Sequence, residues 1–389
     1  MAVVVLHPGR DRSVRRRHPW IRPGAVARVD GAAEPGVQVR VLSAEGEPLG
    51  FGHLSPGSQL RVRMLWFGKE TPPEDLIERR IAEAVERRSG SPLLAGTDAL
   101  RLVNAESDGL PGLTVDRYGD LLVVKLNAAG MESRRERVVA ALRRATGAAA
   151  AFERADSSAA RREGIAARQG PLWGEPPQVP VWIEERGRRH PVDVVAGQKT
   201  GFYLDQRDSR DLVERLAAGR RVLDLFAYTG GFGVAAARGG ASEVVLVESS
   251  AAAAELARLA LERNAPQVPA RVRREDAFRV AREPGEDFDL IVVDPPPLAR
   301  VRHDVPRASR AYKDVLLHAT RRARPGAYLL AFACSHHVGP DLFRKIAFGA
   351  SLDAGRPLRV LGTLGPPADH PVSADHPEGS YLTGLLLQV

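Results

Sequence analysis

The sequence predicts an α/β protein whose C-terminal half is a doubly wound, mostly parallel sheet, preceded by a small β-barrel and a compact α+β unit. Three observations predict it. From about residue 196, Val/Leu/Ile-rich runs alternate with helical ones, the pattern of a parallel sheet covered on both faces. Residues 1–70 instead hold short apolar or alternating runs broken by Gly/Pro turns, as in a small barrel. The stretch between them mixes two amphipathic helices with strands. A chain of 389 residues holds two or three domains at roughly 100–200 residues each. The boundaries are expected at 1–71, 72–190 and 191–389.

In the first part VVVL, GAVARVD, VQVRVLS, LGFGHL and LRVRML read as strands, separated by the turns EPG, AEGEP and SPGS. Residues 1–30 carry seven Arg and two Asp, so +5 of the chain's +8 lies there. A positive end of this kind attracts polyanions, nucleic acid above all, and Arg15, Arg16 and Arg17 are its densest point. Only five residues in the whole chain are Lys, so part of this arginine is compositional bias on a solvated surface. Trp20 follows the cluster. It is either an aromatic that stacks an RNA base or the plug of the small barrel.

In the middle part EDLIERRIAEAVERRS places Leu76, Ile77, Ile81 and Val85 on one helical face, after the stop at Thr71-Pro72-Pro73. LRLVN, GLTVDRYGD and LLVVKL are strands, ESRRERVVAALRRAT is a second helix, and VPVWIEERG with RHPVDVV is a strand pair. No catalytic constellation stands out here. The last part runs RVLDLFAY, EVVLVESS, ARVRRED, DLIVVDPP and AYLLAFACS as strands, with GVAAARGG, AAAAELARLALERN and YKDVLLHATRRAR as helices. Such sheets bind ligands beyond the carboxyl ends of their strands.

Several classes are disfavoured at once. No apolar run approaches the ~20 residues that a membrane helix needs. The N-terminus has its apolar stretch first and its charges after, the reverse of a secretory signal, so a cytoplasmic protein is expected. A single cysteine, Cys334, excludes an internal disulfide framework and a zinc site of several thiolates, and no metal is expected.

The chemistry-bearing residues fall at the strand ends. The first strand ends in Asp224-Leu225-Phe226-Ala227-Tyr228-Thr229-Gly230-Gly231, and its glycines let backbone approach a ligand and turn into a helix. The second ends in Glu248, placed to accept both hydroxyls of a ribose. Neither G-x-G-x-x-G nor G-x-x-x-x-G-K-[ST] is matched, which argues against dinucleotides and phosphate-loop hydrolysis. A ligand with a ribose and an amino-acid tail fits better, namely S-adenosylmethionine. Asp276 after the third strand, with Phe278 beside it, is a candidate for the adenine amino group. The fourth strand delivers Asp294-Pro295-Pro296-Pro297, a carboxylate braced by prolines and able to hydrogen-bond the polar edge of a base. The fifth delivers Cys334. A lone cysteine is ordinarily a small buried hydrophobe, but this one lands at the same sheet edge as Asp294. Carbon 5 of a pyrimidine is a poor nucleophile, and a thiolate adding at carbon 6 would activate it. His336 and His337 read as a surface turn.

With these residues in view, the chain resembles the bacterial 23S ribosomal RNA cytosine-5 methyltransferases that carry an N-terminal PUA domain. The resemblance spans essentially the whole chain. It rests on His18-Pro19-Trp20, Gly24-Ala25-Val26, residues 106–119 (ESDGLPGLTVDRYG), Lys199-Thr200-Gly201-Phe202-Tyr203-Leu204-Asp205-Gln206-Arg207-Asp208, Phe226–Phe232, Asp294-Pro295-Pro296, Tyr312-Lys313-Asp314, Cys334-Ser335 and Ala368-Asp369-His370-Pro371. It implies a PUA-like RNA-binding barrel, a Rossmann-like class I methyltransferase domain and a 23S rRNA substrate. It also implies that Lys199, Phe202, Asp205 and Arg207 join Asp224, Tyr228, Gly230, Glu248, Asp276 and Asp294 around the methyl donor. Cys334 matches the family nucleophile and Asp294 the acid on the cytosine edge, and a homodimer is a family-level expectation. The chain departs from many relatives at Pro297, Ala333 and His336-His337, all on the substrate side. Two rivals follow from the same residues: methylation of a base nitrogen at the Asp-Pro-Pro loop without a thiol, and an RNA-binding assembly factor whose site has lapsed.

Overall fold

The computed structural model describes residues 1–285, 287–299 and 301–389. The chain forms two compact units, one of residues 1–179 with 368–379 and the other of 180–367 with 380–389.

The first unit contains two sheets. The six-stranded one runs, in spatial order, Trp20–Ile21, Val62–Phe67, Pro48–Leu54, Gln38–Leu42, Ala2–Leu6 and Val26–Asp30. Its alternation turns Val4, Leu6, Val39 and Val41 into one core with Ile21, Leu54 and Val62. The five-stranded sheet runs Gln169–Trp173, Ala150–Arg154, Leu121–Leu126, Leu113–Tyr118 and Ala99–Asn104. Helices Leu76–Ser89 and Arg135–Thr146 bury Ile77, Ile81, Val85, Val138 and Leu142 against Val103, Val115 and Val124. The apolar face expected from the sequence is therefore the buried face.

Two segments sit differently from the sequence boundaries. The hairpin Val181–Glu185 with Arg188–Val192, placed with the middle part in the sequence, groups with the second unit. Residues 368–379, near the end of the chain, group with the first. The Asp369 carboxylate accepts from Arg101 N at 3.0 Å, and its carbonyl accepts from Arg88 at 3.3 Å. Asn104 Nδ2 donates to Pro371 O at 2.9 Å, and His18 Nε2 lies 3.1 Å from Glu378 Oε2.

The second unit is built on seven strands: β1 (Arg221–Leu225), β2 (Glu243–Val247), β3 (Ala270–Arg273), β4 (Phe288–Val293), β5 (Ala323–Cys334), β6 (Arg359–Leu364) and β7 (Leu382–Gln388). Their spatial order is β3-β2-β1-β4-β5-β7-β6, parallel except for β7, which runs antiparallel to both neighbours. Helices α1 (Arg207–Leu216), α2 (Gly231–Arg238), α3 (Ala251–Asn264), α4 (Ala277–Ala281), α5 (Val305–Arg322) and α6 (Pro340–Ala354) complete it. One apolar cluster packs β1, β2, β4 and β5 against α5 and α6, and another packs them against α2 and α3. Both faces are covered, which is why these strands read as near-continuous apolar runs. Strand order reverses between β1 and β4, the switch point at which such sheets open a crevice.

A charged cluster joins the hairpin to α1. Arg210 grips Glu185 with two bonds of 2.7 and 2.6 Å, and Arg188 reaches Glu185 at 3.1 Å, Asp211 at 2.6 Å and Glu214 at 2.7 Å. Arg207 Nε lies 3.7 Å from the same Glu185 carboxylate, and Glu185, Arg188, Arg207 and Arg210 are buried. Burial alone would raise the Glu185 pKa, but Arg210, with His190 and Arg188 adding to it, holds the carboxyl well below the usual range. Removing one member of a buried ion group strands its partners. Glu185→Ala is expected to destabilise the protein by about 3–5 kcal/mol, read from urea denaturation. Glu185→Gln, which keeps an acceptor, should lose less. A loss below that of an ordinary surface substitution would refute the structural role of the cluster.

Candidate active site

Strand register brings the site together. Leu225 of β1 pairs with Val247 of β2 and Val293 of β4, so the next residues, Phe226, Glu248 and Asp294, leave the sheet at one level. Cys334 ends β5 at the same edge. A cavity of about 140 Å³ opens there. Its wall includes Lys199, Phe202, Asp205, Tyr228, Glu248, Asp294 and Cys334 among the residues singled out in the sequence.

The loop after β1 is strained. Phe226 and Tyr228 have φ of +65° and +49°, and Gly230 has +77°. Non-glycine residues in this region are costly and persist only where surroundings enforce them. The enforcing bonds are Ala227 N to Val247 O at 2.9 Å, Gly230 N to Ala227 O at 2.9 Å, and Tyr228 N to Glu248 Oε2 at 2.9 Å. Glu248 Oε1 accepts from Ser250 N at 2.7 Å. The carboxylate is thus fixed by backbone and retains lone pairs toward the cavity.

Over the cavity lies the segment 198–206. Tyr228 Oη accepts from Gln198 N at 2.8 Å and donates to Gly201 O at 2.9 Å. Lys199, with φ +52°, pairs with Asp205, whose Oδ2 also accepts from Tyr381 Oη at 2.6 Å. The Lys199 ammonium stands 4.4 Å from the centre of the Tyr203 ring. Phe202 is buried between His190 and the Arg210 guanidinium, at 4.9 and 4.6 Å.

Asp294 and Cys334 line the same cavity. Gln206 Nε2 donates to Asp294 Oδ2 at 3.0 Å. Burial, then the Asp205 carboxylate, push the Asp294 carboxyl up to about 7, against the pull of Lys199 and Gln206. Burial also pushes the Cys334 thiol up to about 12; Lys199 opposes that rise, and Asp205 and Asp294 add to it. The resting sulfur is therefore a thiol, in reach of groups that alter its charge.

Four sequence candidates do not line the cavity. Arg207 is drawn into the Glu185 cluster. Asp224 is buried behind the loop, where its Oδ2 accepts from Gly233 N at 3.1 Å, and burial followed by Asp294 raises its pKa well above the usual value. Gly230 is a packing glycine: a Cβ there would stand 3.0 Å from Ala257 Cβ and Leu246 Cδ2. Asp276 is exposed and caps α4, accepting from Arg279 N at 2.8 Å. Phe278, beside it, meets the cavity-lining Phe226 edge-on at 5.1 Å. Sequence reasoning missed Gln206 and Tyr381 as individual residues. Only the unbroken run 199–208 pointed to the first, and nothing pointed to the second.

In the first unit Arg15, Arg16 and Arg17 are exposed. Arg15 is already paired with Asp11 and Glu47 at 2.6 Å each, and Arg17 lies 5.4 Å from the Phe67 ring centre. Trp20 is half-buried, gives its indole N–H to Glu106 at 2.9 Å, and meets His376 edge-on at 4.4 Å.

The cavity suits a methyl donor of the expected kind. Glu248 offers a backbone-fixed carboxylate for ribose hydroxyls, Phe226 and Phe232 offer apolar wall, and Thr229 holds a buried hydroxyl with no hydrogen-bond partner among the described residues. An α/β sheet with such a crevice at its switch point places the second unit in the doubly wound, ligand-binding α/β class. Within it, the chain belongs to the S-adenosylmethionine-dependent methyltransferases: that family's model matches residues 109–353, and a PUA-like domain matches residues 4–67. The cofactor is S-adenosylmethionine. The chain is 41% identical over 391 residues to ribosomal RNA large subunit methyltransferase I of Erwinia tasmaniensis, covering 99% of each. It is 42% identical over 392 residues to the protein of that name from Salmonella arizonae, covering 99% of this chain and 97% of the other. A solved Streptococcus mutans protein assigned to the SAM-dependent methyltransferases shares the fold at TM-score 0.84 and 22% identity, covering 100% of both chains. A further solved chain, complexed with SAH, aligns at TM-score 0.85 and 22% identity. No helix among the described residues is long and apolar enough to cross a membrane.

Proposed function

We propose that this protein methylates carbon 5 of a cytosine in 23S ribosomal RNA, through a covalent adduct on Cys334. The observation that carries the reading is the meeting of Cys334 and Asp294 in one cavity with the Glu248 wall. The names of the full-length relatives support large-subunit ribosomal RNA as substrate. S-adenosylmethionine, when bound, supplies an electrophilic methyl group.

The residues divide the work as follows. The target base leaves its stack to enter the cavity. Asp294, as carboxylate, takes the Cys334 proton and, as acid, offers it to ring nitrogen 3. The Cys334 thiolate adds to carbon 6, which makes carbon 5 the nucleophile. After carbon 5 has gained the methyl group it gives up its proton to water, the sulfur departs as thiolate, the carbon 5–carbon 6 double bond is restored, and the nitrogen-3 proton returns through Asp294 to the sulfur. A carboxyl near 7 can serve in both roles at neutral pH. Arg15, Arg16, Arg17 and Trp20 contribute to RNA binding from the first unit, the arginines through phosphate contacts.

The test is mass mapping of ribosomal RNA from a strain lacking the gene, before and after addition of the purified protein and donor. One cytosine should gain a methyl group at carbon 5, and RNA carrying 5-fluorocytosine there should remain covalently attached to Cys334. A product methylated on nitrogen, or turnover with no trapped adduct, would refute the proposal.

A further inference from the structure

We propose that Gln206 reads the exocyclic amine of the target base and so selects cytosine over uracil; this rests on the carbon-5 reading above. Gln206 closes the short 3-10 turn Leu204–Gln206 and lines the cavity that holds Asp294 and Cys334. It is only 2% exposed. Its Nε2 donates to Asp294 Oδ2 at 3.0 Å, while its Oε1 is buried with no hydrogen-bond partner among the described residues. A buried amide oxygen left without a donor is costly, and its retention calls for a ligand that supplies one.

Asp294 sets which way the amide points. A carboxyl oxygen accepts, so the amide nitrogen faces it and the amide oxygen faces elsewhere. When Asp294 carries its proton on Oδ1, Oδ2 still accepts from Gln206. The pair then presents an O–H donor beside a C=O acceptor. The edge of cytosine offers the complement: nitrogen 3 accepts and the neighbouring amine donates. Uracil offers the reverse, an N–H and a carbonyl, and both would face a group of their own kind. Asp294 carries this proton once it has taken it from Cys334, so the donor form belongs to the same state in which the thiolate attacks.

The test compares wild type and Gln206→Leu on RNAs identical except at the target, which is cytidine in one and 2-pyrimidinone riboside, lacking the amine, in the other. The two rings differ in their own reactivity at carbon 6, and that difference cancels between enzymes. The cytidine preference in kcat/KM should fall by about tenfold or more in the Leu variant, with the affinity for S-adenosylmethionine within about threefold of wild type. Gln206→Glu, which keeps an oxygen at the same reach, should retain most of the preference and guards against a Leu variant that does not fold. An unchanged preference in the Leu variant, or a lost one in the Glu variant, overturns the proposal. So does a drop of tenfold or more in donor affinity, which would mean that the orphan oxygen serves the methyl donor. If the wild type methylates nitrogen, the underlying reading fails instead, and product analysis tells the two failures apart.

Discussion

Cys334→Ala is expected to lose methyl transfer by about four orders of magnitude or more, while S-adenosylmethionine binds within about threefold of wild type. Carbon 5 has little nucleophilicity of its own, and no neighbouring side chain can replace a covalent bond at carbon 6. The groups proposed to hold the donor, Glu248, Thr229 and Phe226, are a different set, so its affinity should survive. Radiolabelled methyl transfer and calorimetry measure the two quantities separately. Activity within tenfold of wild type would remove the nucleophile from the reaction. The thiol sits near 12 because burial disfavours its charge. It should therefore react slowly with iodoacetamide at pH 7–8 in the free enzyme.

Asp294→Asn should move activity and stability in opposite directions. In the wild type the carboxyl must ionise before it can take the thiol proton, and burial places that ionisation at about 7. Wild-type kcat/KM should thus rise about tenfold per pH unit below 7 and level off above. The Asn variant should lose that inflection and fall by about a thousandfold. Stability follows from the same shift. The folded pKa of about 7 lies above the ordinary value of 3.8. The carboxyl's favourable contribution is then complete below pH 3.8 and is lost as pH rises through about 7. At pH 8 the buried charge is a liability. Asn, which still accepts from Gln206, should stabilise the fold there by up to about 4 kcal/mol, and by nothing near pH 3.5. Denaturant titrations at the two pH values decide the matter. An inflection that persists in the variant would assign it to another group.

The strand ends were legible because the alternation of apolar strands and helices is a one-dimensional signal. Asp224, Glu248, Asp294 and Cys334 each follow a run that can only be a buried strand. What the run cannot tell is which way a residue turns once the strand has ended. Asp205, Gln206 and Arg207 are consecutive, yet the first two line the cavity and the third is buried against Glu185. One peptide unit at the start of α1 separates binding wall from structural core. Asp224 and Asp276 show the same limit in another form. An acid at a strand end serves a ligand or a nearby amide equally well, and here both accept from the first turn of a helix. Tyr381 was illegible for a different reason: its partner Asp205 lies 176 residues away, and no local pattern reports such a contact.

Residues 368–379 give the N-terminal unit a debt to the far end of the chain. A ribosome makes residues 1–179 first, but the buried Arg88 and the amide of Arg101 receive Asp369 only after about two hundred more residues have been joined. At roughly 5–20 residues per second, that is an interval of about 10–40 s. During it the nascent front end waits, incomplete, for its last insert. Neither half can be cut free at a single peptide bond with all its native partners, so vectorial synthesis ends by closing the part with which it began.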